Sequence, residues 1–324
     1  MKGFSGRSAC VYAVAVAALI LLHIAPGLAA ETAERPYNPP VGSRWIIESE
    51  ANSDQARTDR TETLRIKTRA ELTIDAKTVD GFKITYVNRG TTVEGTAASL
   101  ELLRSWAQAQ ENVAIHATTD LAGKPLNVDN LEEAKAAIRN MTGALTAPFQ
   151  DKPELLAVFK QMISRFDVDA GKAALVSVGD LAALAKAQNT GMTPGEVRRA
   201  SHEVDSPLRG GSLKSNETFE MMDTDIAAGR LKYVETVSYD AASLRDFTQS
   251  FIKRLTAASG AAMTPERIDS LYSSLALSLD QRTEFEVEDG MTRKITTKKV
   301  TGVRVMGQNG SKTETSTITV TPAP

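Results

Sequence analysis

Chemistry needs side chains that attack, exchange protons or hold a metal, and this chain of 324 residues is sparing with all three. It has one cysteine, Cys10, and three histidines: His23, His116 and His202. A covalent mechanism needs an activated Ser, Cys or Thr beside a base, and no Gly-x-Ser-x-Gly elbow occurs. His116 alternates with Ile115 and Ala117 in a short strand pattern and reads as structural or exposed. His202 follows Arg198-Arg199 in a polar stretch and reads as solvated. Asp167-x-Asp169-x-Gly171 and Asp223-x-Asp225 look like pieces of calcium loops. An EF-hand loop opening at Asp167 needs glycine at 172 and glutamate at 178, where Lys172 and Val178 stand. These aspartates are therefore expected to cap helices or turns. No glycine-rich phosphate loop is present. No metal or other cofactor is expected. Carboxylates brought together only by the fold leave a hydrolase open, although Trp45 and Trp106 alone could stack a sugar.

The first thirty residues read as an export signal. Lys2 and Arg7 form a positive start, Ala9 to Ile24 an apolar core, and Pro26 to Ala30 a small-residue end. The apolar run falls short of the ~20 residues that span a bilayer. Cys10 sits inside it, so the mature chain of about 294 residues would hold no disulfide. A domain of that length can build an ordinary core without one. Location is expected to be a bacterial periplasm or secretion, with no stable membrane insertion after cleavage. Net charge is −2, or about −4 without Lys2 and Arg7, and no lysine-arginine block gives nucleic acid a footing.

What could position a site is mostly strand. From Leu64 to Ala76 the even positions are Leu64, Ile66, Thr68, Ala70, Leu72, Ile74 and Ala76, with charged or polar residues between. That period of two marks a long strand with one wet face. It resumes at Phe82, Ile84 and Tyr86. A three-residue loop, Val79-Asp80-Gly81, would set Ile74 opposite Tyr86, with Gly81 left-handed in a bulge. Phe285, Val287, Met291 and Ile295 around Glu288-Asp289-Gly290 predict a second hairpin of the same build. A last hairpin is expected to turn at Gln308-Asn309-Gly310.

Helical spacing appears at Leu100 to Ala107, after Asn130, from Asp151 to Phe166, from Gly179 to Gln188 with a stop at Asn189 and Gly191, from Leu244 to Leu255, and after Thr264-Pro265. The fold class expected is α+β: a curved, mainly antiparallel half-barrel meander with long hairpins and helices on one face, arranged as two similar halves. The divisions are a signal peptide over 1–30, a flexible lead over 31–42, one half over 43–190, a linker over 191–212 and a second half over 213–324.

These hairpins, with helices between strands in an exported chain, make an architecture that resembles the half-barrel periplasmic carriers of lipids and lipoproteins of the LolA type. The resemblance covers about half of the chain and rests on no motif. It implies a non-catalytic protein that binds a lipid or acyl chain in an apolar cavity. Ile74, Tyr86, Phe159 and Met162 are the candidate lining. The alternative is a cell-envelope scaffold that meets a protein partner and packs those residues solidly.

Overall fold

The computed structural model describes residues 34–56, 61–96, 100–134 with 136, 178–205, 212–225, 228–259, 264, 275–305 and 308–324. Eleven strands build one antiparallel sheet. The first arm contains β1 (Arg44–Ala56), β2 (Thr61–Lys77), β3 (Gly81–Gly95), β4 (Ala114–Asp120) and β5 (Pro125–Val128). The second contains β6 (Val197–Asp205), β7 (Ser212–Asp225), β8 (Arg230–Tyr239), β9 (Ala276–Glu288), β10 (Met291–Val305) and β11 (Gln308–Pro322). Their spatial order is β5-β4-β3-β2-β1-β11-β10-β9-β8-β7-β6. Each arm is a meander, and β1 pairs with β11 to make the two arms one sheet. The stretch expected to be a linker, 191–212, carries β6. β1 runs from Arg44 to Ala56 through a stretch, from Ala51 on, that is mostly polar.

Alternation sets the two faces. In β2 the side chains of Leu64, Ala70, Leu72 and Ile74 are buried, while Arg65, Lys67 and Arg69 are exposed. Both hairpins keep apolar residues opposite one another, by a route that differs from the expected loops. In the first, Lys77 pairs with Phe82 and a bulge between Ile74 and Ala76 restores parity, so Ile74 faces Ile84 and Leu72 faces Tyr86. In the second, Glu288 pairs with Met291 across a two-residue turn in which Asp289 has φ 51° and Gly290 φ 78°. Positive φ at both positions is the signature of a tight hairpin turn. A bulge at Arg293 then brings Ile295 opposite Phe285. A one-residue slip would have sent every apolar side chain to the wet face, and one extra residue in the strand cancels it. At the last hairpin, Gln308 to Gly310 are not the turn: they pair with Val305 to Val303.

Gly81 is not left-handed either. Its constraint is proximity, since a Cβ there would lie 1.9 Å from the carbonyl oxygen of Thr119 on β4.

Among the described residues, helices of seven residues or more lie on the apolar face in three places. α1 (Leu100–Gln110) joins β3 to β4 and covers Leu64 and Val93 with Leu103 and Ala107. α3 (Ala241–Ser259) joins β8 to β9 and sets Phe247 against Leu213 and Leu277. α2 (Gly179–Ala185) crosses the main core, which includes Ile74, Phe82, Ile84 and Tyr86 from one arm and Phe219, Tyr233, Phe285 and Ile295 from the other. Residues 131–134 are helical as expected after Asn130. The helix expected over 151–166, and most of that expected after 264, lie outside the described residues.

Strand positions β3 and β8 are six places apart. In a flat sheet they would be ~29 Å apart. Sharing one core, they require a sheet curved into a trough. Turns 78–81, 121–124 and 289–290 gather with the lead at its closed end, where Tyr37 meets Phe82 edge-on at 5.4 Å between ring centres. α1 and α3 stand at the other end.

Gly81→Ala should cost about 1–3 kcal/mol in urea unfolding, because backbone must move to admit the methyl group. Gly90→Ala, with no heavy atom within 4 Å of the added Cβ, should stay within about 0.5 kcal/mol of the parent. Equal costs would contradict the close β3–β4 approach.

Candidate functional site

Four of the buried polar residues, Glu217, Glu235, Gln188 and Thr292, meet at α2 and the turn after it. Lys186 follows the helix directly. Its Nζ donates to Glu217 Oε1 at 2.9 Å and to Glu235 Oε1 at 2.6 Å. Glu217 and Glu235 project from β7 and β8 on the apolar face and are 2% and 4% exposed. Burial works to lower the Lys186 pKa, but the two carboxylates outweigh it and leave the ammonium raised. Burial pushes the Glu235 carboxyl up, against the pull of Lys186. His202 Nδ1 stands 3.6 Å from Glu217 Oε2, beyond a hydrogen bond.

At the start of α2, Tyr86 donates its hydroxyl proton to Asp180 at 3.3 Å. Burial, then the Asp180 charge, push the Tyr86 hydroxyl well up, and burial raises the Asp180 carboxyl. Gln188 is a third tie. Its Oε1 accepts from the Thr292 amide on β10 at 2.9 Å, and its Nε2 donates to the Ala122 carbonyl in the β4–β5 turn at 2.6 Å. Asn189, at φ 53°, and Gly191, at φ 63°, end the segment as expected. Asn189 accepts from the Tyr37 amide at 2.7 Å and donates to the Leu121 carbonyl.

Chemically this arrangement is a clamp. One lysine, two acids and a histidine resemble acid–base machinery in composition. Yet the one cation is held between the two carboxylates, and both acids are closed from solvent. Open hollows among the described residues, one of about 910 Å³, lie on the polar face around Glu50, Lys67, Arg69 and Thr317, and around Asp54, Arg65 and Glu94. On that face His116 Nδ1 is 2.9 Å from Thr85 Oγ1, whose hydroxyl donates to Asp75 at 2.7 Å. The hydroxyl has one proton and gives it to the carboxylate. It therefore accepts from His116, which leaves the imidazole no role as a base toward it.

The expected sites fare unevenly. Ile74 is fully buried and Tyr86 8% exposed, both packed in the main core. Phe159, Met162 and Asp167 to Gly171 lie outside the described residues. Asp225 is a turn residue, accepting from the Ala228 amide and the Arg230 guanidinium. Among the described residues no three His, Cys, Asp or Glu side chains could share a metal. No helix among them is long and apolar enough to cross a membrane. Glu217 and Glu235 were missed, although a signal existed. Each occupies the apolar parity of its strand, Glu217 between Ser215 and Phe219 and Glu235 between Tyr233 and Val237.

No known protein-family model matches the chain, and no curated protein matches it in sequence. Among solved structures, one described by the lipid–protein interactions of lipovitellin aligns over 88% of this chain with 8% identity and a TM-score of 0.39. The chain spans only 26% of that protein. An outer membrane channel from Pseudomonas putida F1 aligns over 92% of this chain and 100% of its own, with 8% identity and a TM-score of 0.18. Scores at this level carry no functional inference.

Lys186→Met should destabilise the protein by about 3–5 kcal/mol near neutral pH, since two buried carboxylates lose their cation. Without Lys186, the buried Glu235 carboxyl would hold its proton more tightly folded than unfolded, because burial then acts on it without the opposing ammonium. Stability of the variant is then lost as pH rises above the ordinary carboxylate range of about 4.3. Urea unfolding at pH 5 and pH 8 should show the larger deficit at pH 8. Equal deficits would mean that the acids do not depend on Lys186.

Proposed function

We propose that this protein is a non-enzymatic component of the bacterial cell envelope, exported by its N-terminal signal, that holds a lipid or other acyl-bearing amphiphile in the trough of the sheet. One observation carries the reading: above the shared core, the apolar face divides into two clusters with no residue in common. One wall presents the half-buried Ile66 beside Leu100 of α1, and the other Val303 and Tyr239 beside Phe251 of α3. The strands between them carry Ser316, Thr297, Lys299 and Glu314 on the same face, all half-buried. Apolar walls over a polar floor suit a molecule with both an acyl chain and a head group. The buried acids support no catalytic reading, because both are committed to hydrogen bonds with the Lys186 ammonium.

A scaffold without a ligand is the second reading, favoured by the tight packing of Ile74 and Tyr86. It is also favoured by exposed apolar residues at the closed end, among them Val79 at 87% and Val41 at 58%.

Native mass spectrometry of protein taken gently from the envelope separates the two. The carrier reading expects excess mass that denaturation releases as lipid. It also expects the pair Ile66→Trp and Val303→Trp, which narrows the trough from both walls, to weaken uptake of added phospholipid by at least about tenfold, ~1.4 kcal/mol. A bare mass with no uptake of fatty acid or phospholipid would leave the scaffold.

A further inference from the structure

The two edges of the sheet are unlike. β5 is four residues long and opens with Pro125, the blunt form of edge that discourages pairing. β6 is nine residues long, without proline, and among the described residues its only strand neighbour is β7. The Met221 amide donates to the Glu196 carbonyl at 3.1 Å. Antiparallel alternation then turns the backbone groups of Arg198, Ala200, His202 and Val204 toward β7. Those of Val197, Arg199, Ser201 and Glu203 point out of the sheet. The side chains of Arg199, Ser201 and Glu203 are exposed, on the polar face.

We propose that a second copy of this chain docks here, β6 against β6, antiparallel about a two-fold axis at Ser201. The argument for that occupant is charge. Pairing centred on Ser201 sets Arg199 opposite the partner subunit's Glu203, and Glu203 opposite the partner subunit's Arg199. Opposite charges directly across a strand pair attract, and like charges repel. A shift of two residues one way sets Arg199 and Glu203 opposite uncharged residues. The other way Arg199 faces the partner subunit's Asp205, but Glu203 faces a serine and about two hydrogen bonds are lost, and a shift of four sets like charges face to face. A parallel pairing stacks arginine on arginine. The outward backbone groups complete about ten hydrogen bonds in the centred register. The axis stands normal to the sheet, so both troughs open on the same side of a continuous sheet, and the contact is self-complementary, as closed two-fold assembly requires. The dimer does not depend on whether the trough takes a ligand.

Sedimentation of the purified protein across the micromolar range tests this. The wild type should be a dimer. Arg199→Glu and Glu203→Arg alone should each weaken association by at least about tenfold, by turning two attractions into two repulsions. The double reversal, R199E with E203R, should recover it, which also shows that the reversals leave the fold intact. Ser201→Pro removes an outward N–H and should give monomer with an unchanged urea midpoint. A wild-type monomer throughout, or a dimer indifferent to single reversals, would overturn the proposal, as would a double reversal that stays monomeric.

Discussion

The fold depends on one short segment reaching both arms of the sheet. Asp180 holds Tyr86 on β3, while Lys186 holds Glu235 on β8 and Glu217 on β7. Along the helix these anchors are ~9 Å apart, whereas six strand spacings would separate their targets by ~29 Å in a flat sheet. Both arms also share one core around the segment, so the remaining ~20 Å is closed by bending of the sheet as well as by side-chain reach. Gln188 repeats the constraint between β10 and the β4–β5 turn, which are five strand positions apart. Curvature and clamp therefore imply one another.

Polar ties suit this work for a reason of geometry. Apolar contact alone would leave α2 free to slide along the core, since dispersion and burial have little direction. Hydrogen bonds from buried donors fix position, because any displacement leaves a desolvated group without a partner. The clamp's contribution to net stability is a separate matter, as the desolvation of two carboxylates and an ammonium opposes their attraction. Its function in the fold is to define where the closed end lies. Above that end the described apolar residues fall into two separate clusters, with Thr297, Lys299, Glu314 and Ser316 on the strands between them.

The polar face obeys a different economy. Arg65, Lys67 and Arg69 on β2 stand beside Glu48 and Glu50 on β1, and Lys232 beside Glu284. Such exposed pairs add little each, but they keep a very wide sheet face solvated and discourage stacking. On β6 the same device carries information, because Arg199 and Glu203 are placed symmetrically about Ser201.

The sequence by itself determined the strand periodicity, the wet and buried faces, the helices at Leu100, Gly179 and Leu244, and the stop at Asn189 and Gly191. Those follow from local rules, in which side-chain alternation and backbone preference act over a few residues. Parity also required Ile74 and Leu72 to meet apolar partners across the hairpin. It did not say whether a loop or a bulge would deliver them, since both give the same parity. The tertiary structure alone decided that β1 and β11 join the arms and that β6 replaces the expected linker. It also decided that Lys186 meets Glu217 and Glu235. Contacts between residues 31 and 49 positions apart have no local signature; the nearest hint was an acid standing where each strand's pattern asked for an apolar residue.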